Sequence, residues 1–210
     1  MIRPLASRDC GDAAALHAEV LGTEFISRFG PGFLRAYYRA WIEAPGGLAL
    51  AALGSDGRLQ GLLLGAVDPA GHSAAMVRGH GARLAVRMVL ASARRPGLAA
   101  TLVRTRVARY ARGVARAVAP ADAAADPPGR VGEVTHLLVA PAAQGAGIGR
   151  ALVEAAEGVA RRAGVEELVL VTPPDQAARR FYEHLGWEPA GEVTSRSGEP
   201  FIRFRRRLVV

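Results

Sequence analysis

One α/β (α+β) domain is the fold class that this chain predicts, and three observations carry the prediction. Strand-like and helical hydrophobic patterns alternate along it. A glycine-rich turn, Gln144-Gly145-Ala146-Gly147-Ile148-Gly149, joins a β-type run to an amphipathic helical run. The length, 210 residues, suits one domain and is enough to bury a full core.

The elements follow in order. Ile2 to Ser7 is strand-like and Asp9 to Leu21 is helical. Pro31 to Glu43 is a second helix, with Phe33, Leu34, Tyr37, Tyr38 and Trp41 on its apolar side. Leu48–Leu53 and Leu59–Val67 flank Gly54-Ser55-Asp56-Gly57, where Asp-Gly signals a hairpin. A long basic stretch comes next. The strand Glu133–Val139 then leads into the glycine turn and a helix over Arg150–Ala163. The apolar run 166–172 reads as a strand buried on both faces, ended by Pro173-Pro174. A last helix runs to Trp187, with Asp175 as N-cap and Gly186 as C-cap. Strands at 188–194 and 200–209 pair about Ser195-Arg196-Ser197-Gly198. The expected division is 1–71, N-terminal strands and helices; 72–130, a basic helical insertion and loop; and 131–210, the ligand-binding core with the C-terminal strands.

All 27 basic residues are arginine, and ten of them fall between Met76 and Val118 with no acid among them. This stretch reads as two helices broken at Pro96-Gly97. The first places Arg83, Arg87 and Arg94 on one stripe, beside Leu84, Met88 and Val89. In the second, Arg109, Arg112 and Arg116 lie opposite Val103, Val107, Tyr110, Val114 and Val118. A solvated basic face on a packed helical hairpin is the plainer reading. The functional reading is a platform for an anionic acceptor, an acidic partner or an acidic membrane surface. Nucleic acid is disfavoured, because Tyr110 alone offers a stacking ring there. Residues 119–130, rich in Ala, Asp and Pro, read as a loop.

Strand, glycine loop and helix together present backbone N–H groups at a helix N-terminus, where the macrodipole favours an anion. This is neither the GxGxxG dinucleotide fingerprint nor a Walker loop. It reads as a pyrophosphate-binding turn. The Gln-x-x-Gly-x-Gly loop is followed at a set distance by Ala-x-x-Phe-Tyr-Glu-x-Leu-Gly-Trp, residues 178–187. In this order and spacing, residues 131 to 190 resemble the GNAT superfamily of N-acetyltransferases. The resemblance implies one mixed, mostly antiparallel sheet whose fourth and fifth strands splay to admit the pantetheine arm of acetyl-CoA. The family usually has only a short connection between the third and fourth strands, so the 72–130 insertion departs from its pattern.

Acyl transfer to an amine needs a base to deprotonate the amine, N–H donors for the oxyanion and an acid for the thiolate. By resemblance, Glu133 is the general base, directly or through water, and Tyr182 protonates the coenzyme A thiolate. The plainer alternatives are a strand-end carboxylate and a core aromatic. The same resemblance assigns pantetheine contacts to Leu137, Leu138 and Val139, with the Val139 N–H as oxyanion donor. Pyrophosphate contacts fall to Gln144, Gly145, Ala146, Gly147, Gly149 and Arg150. Asp175 stands where an asparagine often holds the coenzyme. His136 reads as structural.

The implied activity is acetyl-CoA-dependent N-acetyl transfer to a primary amine, with an amino sugar or its nucleotide favoured by the clustered arginines. The alternative is an acetyl-CoA-binding regulatory module that docks on an acidic partner. A homodimer is an open arrangement. His17, His72, His80, His136 and His184 show no ligand spacing, so no metal site is expected. Cys10 is the sole cysteine and reads as an ordinary helix-start residue, which excludes an internal disulfide. The chain has no apolar run of bilayer length and no signal-type start, so a cytoplasmic location is expected.

Overall fold

The computed structural model describes residues 1–93, 131–194 and 198–208. Among them seven strands form one sheet: β1 (Ile2–Pro4), β2 (Gly47–Leu53), β3 (Leu59–Ala66), β4 (Val131–Val139), β5 (Glu167–Thr172), β6 (Glu188–Thr194) and β7 (Pro200–Arg207). Their spatial order is β1-β2-β3-β4-β5-β7-β6, and every neighbouring pair is antiparallel except β4 with β5. The helices are α1 (Cys10–Val20), α2 (Pro31–Glu43), α3 (Pro69–Ala93), α4 (Ile148–Arg162) and α5 (Gln176–His184). The mixed, mostly antiparallel sheet flanked by helices is therefore present as expected. No described helix is long and apolar enough to cross a membrane.

The strict alternation of β2 and β3 divides the core in two. Leu48, Leu50, Ala52 and Leu63 pack with Leu152, Val153, Ala156 and Ala160 of α4. Ala51, Leu62 and Leu64 pack on the other face with Ala13 and Leu16 of α1 and Tyr38 and Trp41 of α2. Helix α2 begins at Pro31, whose fixed φ suits a first turn, and buries Phe33, Leu34, Tyr38 and Trp41. At the N-terminus Asp9 accepts the Ala6 N–H at 2.8 Å and a two-pronged bond from Arg3 at 2.6 and 2.9 Å. That hydrogen-bonded guanidinium holds its carboxyl below the usual range.

Helix α3, the first helix of the basic stretch, begins at Pro69, with Asp68 accepting the Gly71 N–H at 2.9 Å. It packs Leu84 and Met88 against Phe29 and Phe33. Val89 does not join them: it is 61% exposed, with Val86 and Leu90 similarly open. Arg94, the second insertion helix with Arg109, Arg112 and Arg116, the 119–130 loop and turn residues 195–197 lie outside the described residues.

One irregularity shapes the site. Leu64 faces His136 and Gly65 faces Val134, so Thr135 is an extra residue, a β-bulge in β4. Gly65 is required there, since a Cβ would lie 2.5 Å from the Glu133 carbonyl oxygen. The Trp41 indole N–H fastens α2 to the same point, donating to the Gly65 carbonyl at 3.1 Å and more weakly to Leu48 at 3.3 Å. Gly65→Ala is expected to destabilise the fold by about 1–3 kcal/mol, the usual range for overpacking. Urea unfolding checks this; an unchanged midpoint would remove the bulge from the account.

Candidate active site

β4 and β5 pair in parallel only at Val131–Glu167, Gly132–Leu168 and Glu133–Val169. Beyond Glu133 the ladder stops, while β4 stays bonded to β3 as far as Val139 and β5 to β7 as far as Thr172. Alternate backbone groups of a strand point to its two neighbours. Along 134–139 those on the β5 side therefore open into a cleft between diverging strands. Leu137, Leu138 and Val139 form one wall of that cleft.

At the open end of β4 the chain turns through a 3-10 turn, Pro141–Ala143, into the glycine loop. Gly145 has φ 80° and Gly147 φ 77°, left-handed conformations that disfavour any side chain. Gly147 is the N-cap of α4, and Ala151 is bonded to its carbonyl at 3.0 Å. The amides of Ile148, Gly149 and Arg150 precede that first helical bond, so they have no partner within the helix. No Cβ at Gly145 or Gly147 would meet a neighbour within 4 Å, leaving open space over the loop. This arrangement fits an anionic group.

The bulge decides which side chains share a face. Val134 and Leu137 pack in the core under α4. Leu138 packs under α1 and α2, and the His136 ring lies 5.4 Å from His17 and 6.3 Å from Tyr37. Glu133, preceding Val134, points by alternation to that second face as well. Without the extra residue His136 and Glu133 would sit on opposite faces. Burial raises the Glu133 carboxyl, offset in part by His136 and Arg203.

Tyr182 comes from the other side. Helix α5 starts where Asp175 Oδ1 accepts the amides of Ala177 (2.6 Å) and Ala178 (3.3 Å), the expected N-cap. That capping engages one carboxylate oxygen, Oδ1, of the residue that the resemblance placed beside the coenzyme. The helix ends at His184 with Leu185 as its C-cap, one residue before the expected Gly186, which follows in the left-handed conformation at φ 76° and turns the chain away. Tyr182 is buried beneath α4, its ring 5.8 Å from Trp187 and 5.6 Å from Phe204. Burial pushes its hydroxyl up to about 12, so it stays protonated at neutral pH. Trp187 is anchored to buried Glu157 of α4 (3.2 Å), which also pairs with Arg161 (3.0 Å) and Arg206 (3.5 Å). The Arg206 guanidinium donates to the Gly186 carbonyl at 2.7 Å. The Leu-Gly-Trp segment is thus the clamp that holds Tyr182.

Sequence reasoning gave no site role to two residues near the bulge, His17 and Glu24. His17 is fully buried and its Nδ1 lies 2.8 Å from the Tyr38 hydroxyl. Glu24 faces both His17 (3.7 Å) and His136 (3.8 Å). Burial alone would raise the Glu24 carboxyl, but the imidazoles of His136 and His17 bring it to about 2. No spacing in the chain links positions 17, 24 and 136, so no sequence signal could have grouped them.

A family model described as Acetyltransferase (GNAT) family matches residues 111–187, a span that holds the cleft, the glycine loop and α5. Over that span, about a third of the chain, the sequence is similar to the GNAT acetyltransferases. A mycothiol acetyltransferase of Beutenbergia cavernae is 44% identical over 64 residues, 30% of this chain. The chain covers 22% of that relative's length. A solved acetyltransferase superposes with TM-score 0.63 at 18% identity, over all of both chains. The ribosomal-protein-S18-alanine N-acetyltransferase of Escherichia coli gives TM-score 0.58 at 14% identity, over 100% of this chain and 94% of the other. At these identities the structural matches show the GNAT fold alone. That fold carries the insertion between β3 and β4, which opens with α3.

The acetyl donor of GNAT acetyltransferases is acetyl-CoA. Gly147→Val places a β-branched side chain at φ 77°, over the free amides of the loop. Affinity for acetyl-CoA is expected to fall at least about tenfold, or ~1.4 kcal/mol. Calorimetry reads this, with circular dichroism confirming the fold; unchanged affinity in a folded variant would sink the loop assignment.

Proposed function

We propose that this protein is a GNAT-type N-acetyltransferase that moves the acetyl group of acetyl-CoA to the primary amine of a small molecule. One observation carries the reading: the sheet opens beyond Glu133, with Glu133 on the α1/α2 face and Tyr182 under α4. A base on one face and an acid on the other, joined by a cleft, suit attack from one side and departure to the other. Glu133 takes the amine proton, directly or through water, and the nitrogen attacks the acetyl carbonyl. The Val139 N–H supports the developing oxyanion. The carbon–sulfur bond breaks, and Tyr182 returns a proton to the thiolate. Leu137, Leu138 and Val139 align the pantetheine arm, while Gln144, Gly145, Ala146, Gly147, Gly149 and Arg150 hold the pyrophosphate.

For the acceptor, the favoured class is an anionic amine such as an amino sugar nucleotide. Its support is a basic groove of about 350 Å³ between α2 and α3, lined by Arg35, Arg39, Arg83, Arg87 and His80. Arg39 is paired with Glu43 at 2.8 Å, and Arg87 donates to the Gly32 carbonyl at 3.2 Å. The same groove supports a second reading, docking of an acidic partner on an acetyl-CoA-binding module. Arg35→Ala with Arg83→Ala separates them. A raised KM for the acceptor, with that for acetyl-CoA unchanged, supports the anionic acceptor. Unchanged constants with loss of a partner would support docking.

Tyr182→Phe is expected to lower kcat by about 10²–10⁴-fold, the usual scale of acid–base assistance, while acetyl-CoA still binds. Glu133 acts only when deprotonated, so kcat/KM should rise with pH through its carboxyl, above the ordinary value of about 4.3. Glu133→Gln should abolish that acidic limb. Wild-type pH profiles in both variants would show that neither group has its proposed role.

A further inference from the structure

We propose that His17, Glu24 and His136 form a binding site for one zinc-like divalent cation, on the same face of β4 as Glu133. The three come from separate elements: α1, the turn that follows it, and β4 just past the bulge. One ligand atom from each lies within 4.8 Å of the others. Glu24 Oε2 is 3.7 Å from His17 Nε2 and 3.8 Å from His136 Nε2. Two ligands bound at about 2.1 Å to a tetrahedral ion stand roughly 3.4 Å apart, so a small contraction would complete the set. Two imidazoles and a carboxylate suit a borderline cation such as zinc or cobalt(II) better than magnesium or calcium, which take oxygen ligands.

The strongest argument is His17. Its side chain is 0% exposed, yet Nε2 has no hydrogen-bond partner. Its other nitrogen is taken by the Tyr38 hydroxyl at 2.8 Å, and Tyr38 is itself fully buried. This is the support that usually orients a metal-binding histidine through its second ring nitrogen. If Nδ1 carries the proton, the Nε2 lone pair faces a carboxylate oxygen, which is repulsive. If Nε2 carries it, 3.7 Å is too long for a hydrogen bond to Glu24. For a neutral His17, a cation between the two resolves both cases. Glu24 is 43% exposed at its side chain, so ions have an entry path and a fourth position stays open. His136, at 12%, closes the inner side.

The test needs no acetyl donor and so is independent of the acetyltransferase reading. The full-length chain is stripped with chelator, dialysed and titrated with zinc chloride by calorimetry. Cobalt(II) is added separately, and its visible absorption is read for a four-coordinate site. One equivalent of zinc, an intense cobalt band and a melting temperature that climbs with zinc concentration are expected. His136→Gln and Glu24→Gln, the less buried positions, should each remove the cobalt band and weaken zinc at least tenfold. Their circular dichroism must match the wild type. His184→Gln, at an exposed histidine, should change nothing. Absence of stoichiometric uptake, as expected if water alone bridges the three groups, overturns the proposal. So does binding that survives both variants.

Discussion

Everything in this site depends on where the parallel ladder between β4 and β5 ends. Three residue pairs hold the halves of the sheet together, and the last is Glu133 with Val169. Each strand then follows its antiparallel partner, β4 toward β3 and β5 toward β7, and those longer ladders dominate the short one. Divergence leaves a row of β4 backbone groups without a partner strand on the β5 side among the described residues. Such groups are costly to bury unbonded, so a cleft of this kind is built to be filled by something that hydrogen-bonds in an extended form.

The bulge at Thr135 is the second constraint, and it acts on parity. An extra residue flips every later side chain of β4 relative to the earlier ones. It sets His136 on the face of Glu133 and Leu137 on the face of Val134. Gly65 and the Trp41 indole secure it from the neighbouring strand and helix. Packing on the α1/α2 side thereby reaches the chemistry: Tyr38 steadies His17, and Glu24 sits before both imidazoles.

The C-terminal half was legible because its signals are local. Gly145 and Gly147 adopt left-handed φ values that glycine alone accommodates well, Asp175 caps α5 as its type foretold, and Gly186 takes the left-handed turn just past the Leu185 C-cap. α2 begins at Pro31 and ends at Glu43 as the pattern indicated, since a proline start and a five-residue apolar stripe leave little freedom. Sequence pattern set Val89 beside Leu84 and Met88 but could not tell which of them packs; Leu84 and Met88 meet the aromatic cluster, and Val89 stays exposed. Simple alternation along β4 could not foresee the bulge that brings His136 to the face of Glu133.

By itself, the sequence determined the order of elements, the amide-rich loop, the capped helix carrying Tyr182 and the strand carrying Glu133. These follow from propensity, periodicity and turn chemistry, which act over a few residues. The tertiary structure alone decided that Glu133 and Tyr182 belong to opposite faces of one opening, that Asp175 spends an oxygen on its helix, and that His17, Glu24 and His136 meet. Those outcomes depend on strand register and helix packing between segments more than a hundred residues apart in the case of His17 and His136. Spacing along the chain carries no information about such a meeting; only the sheet and the helices laid across it bring the groups within reach.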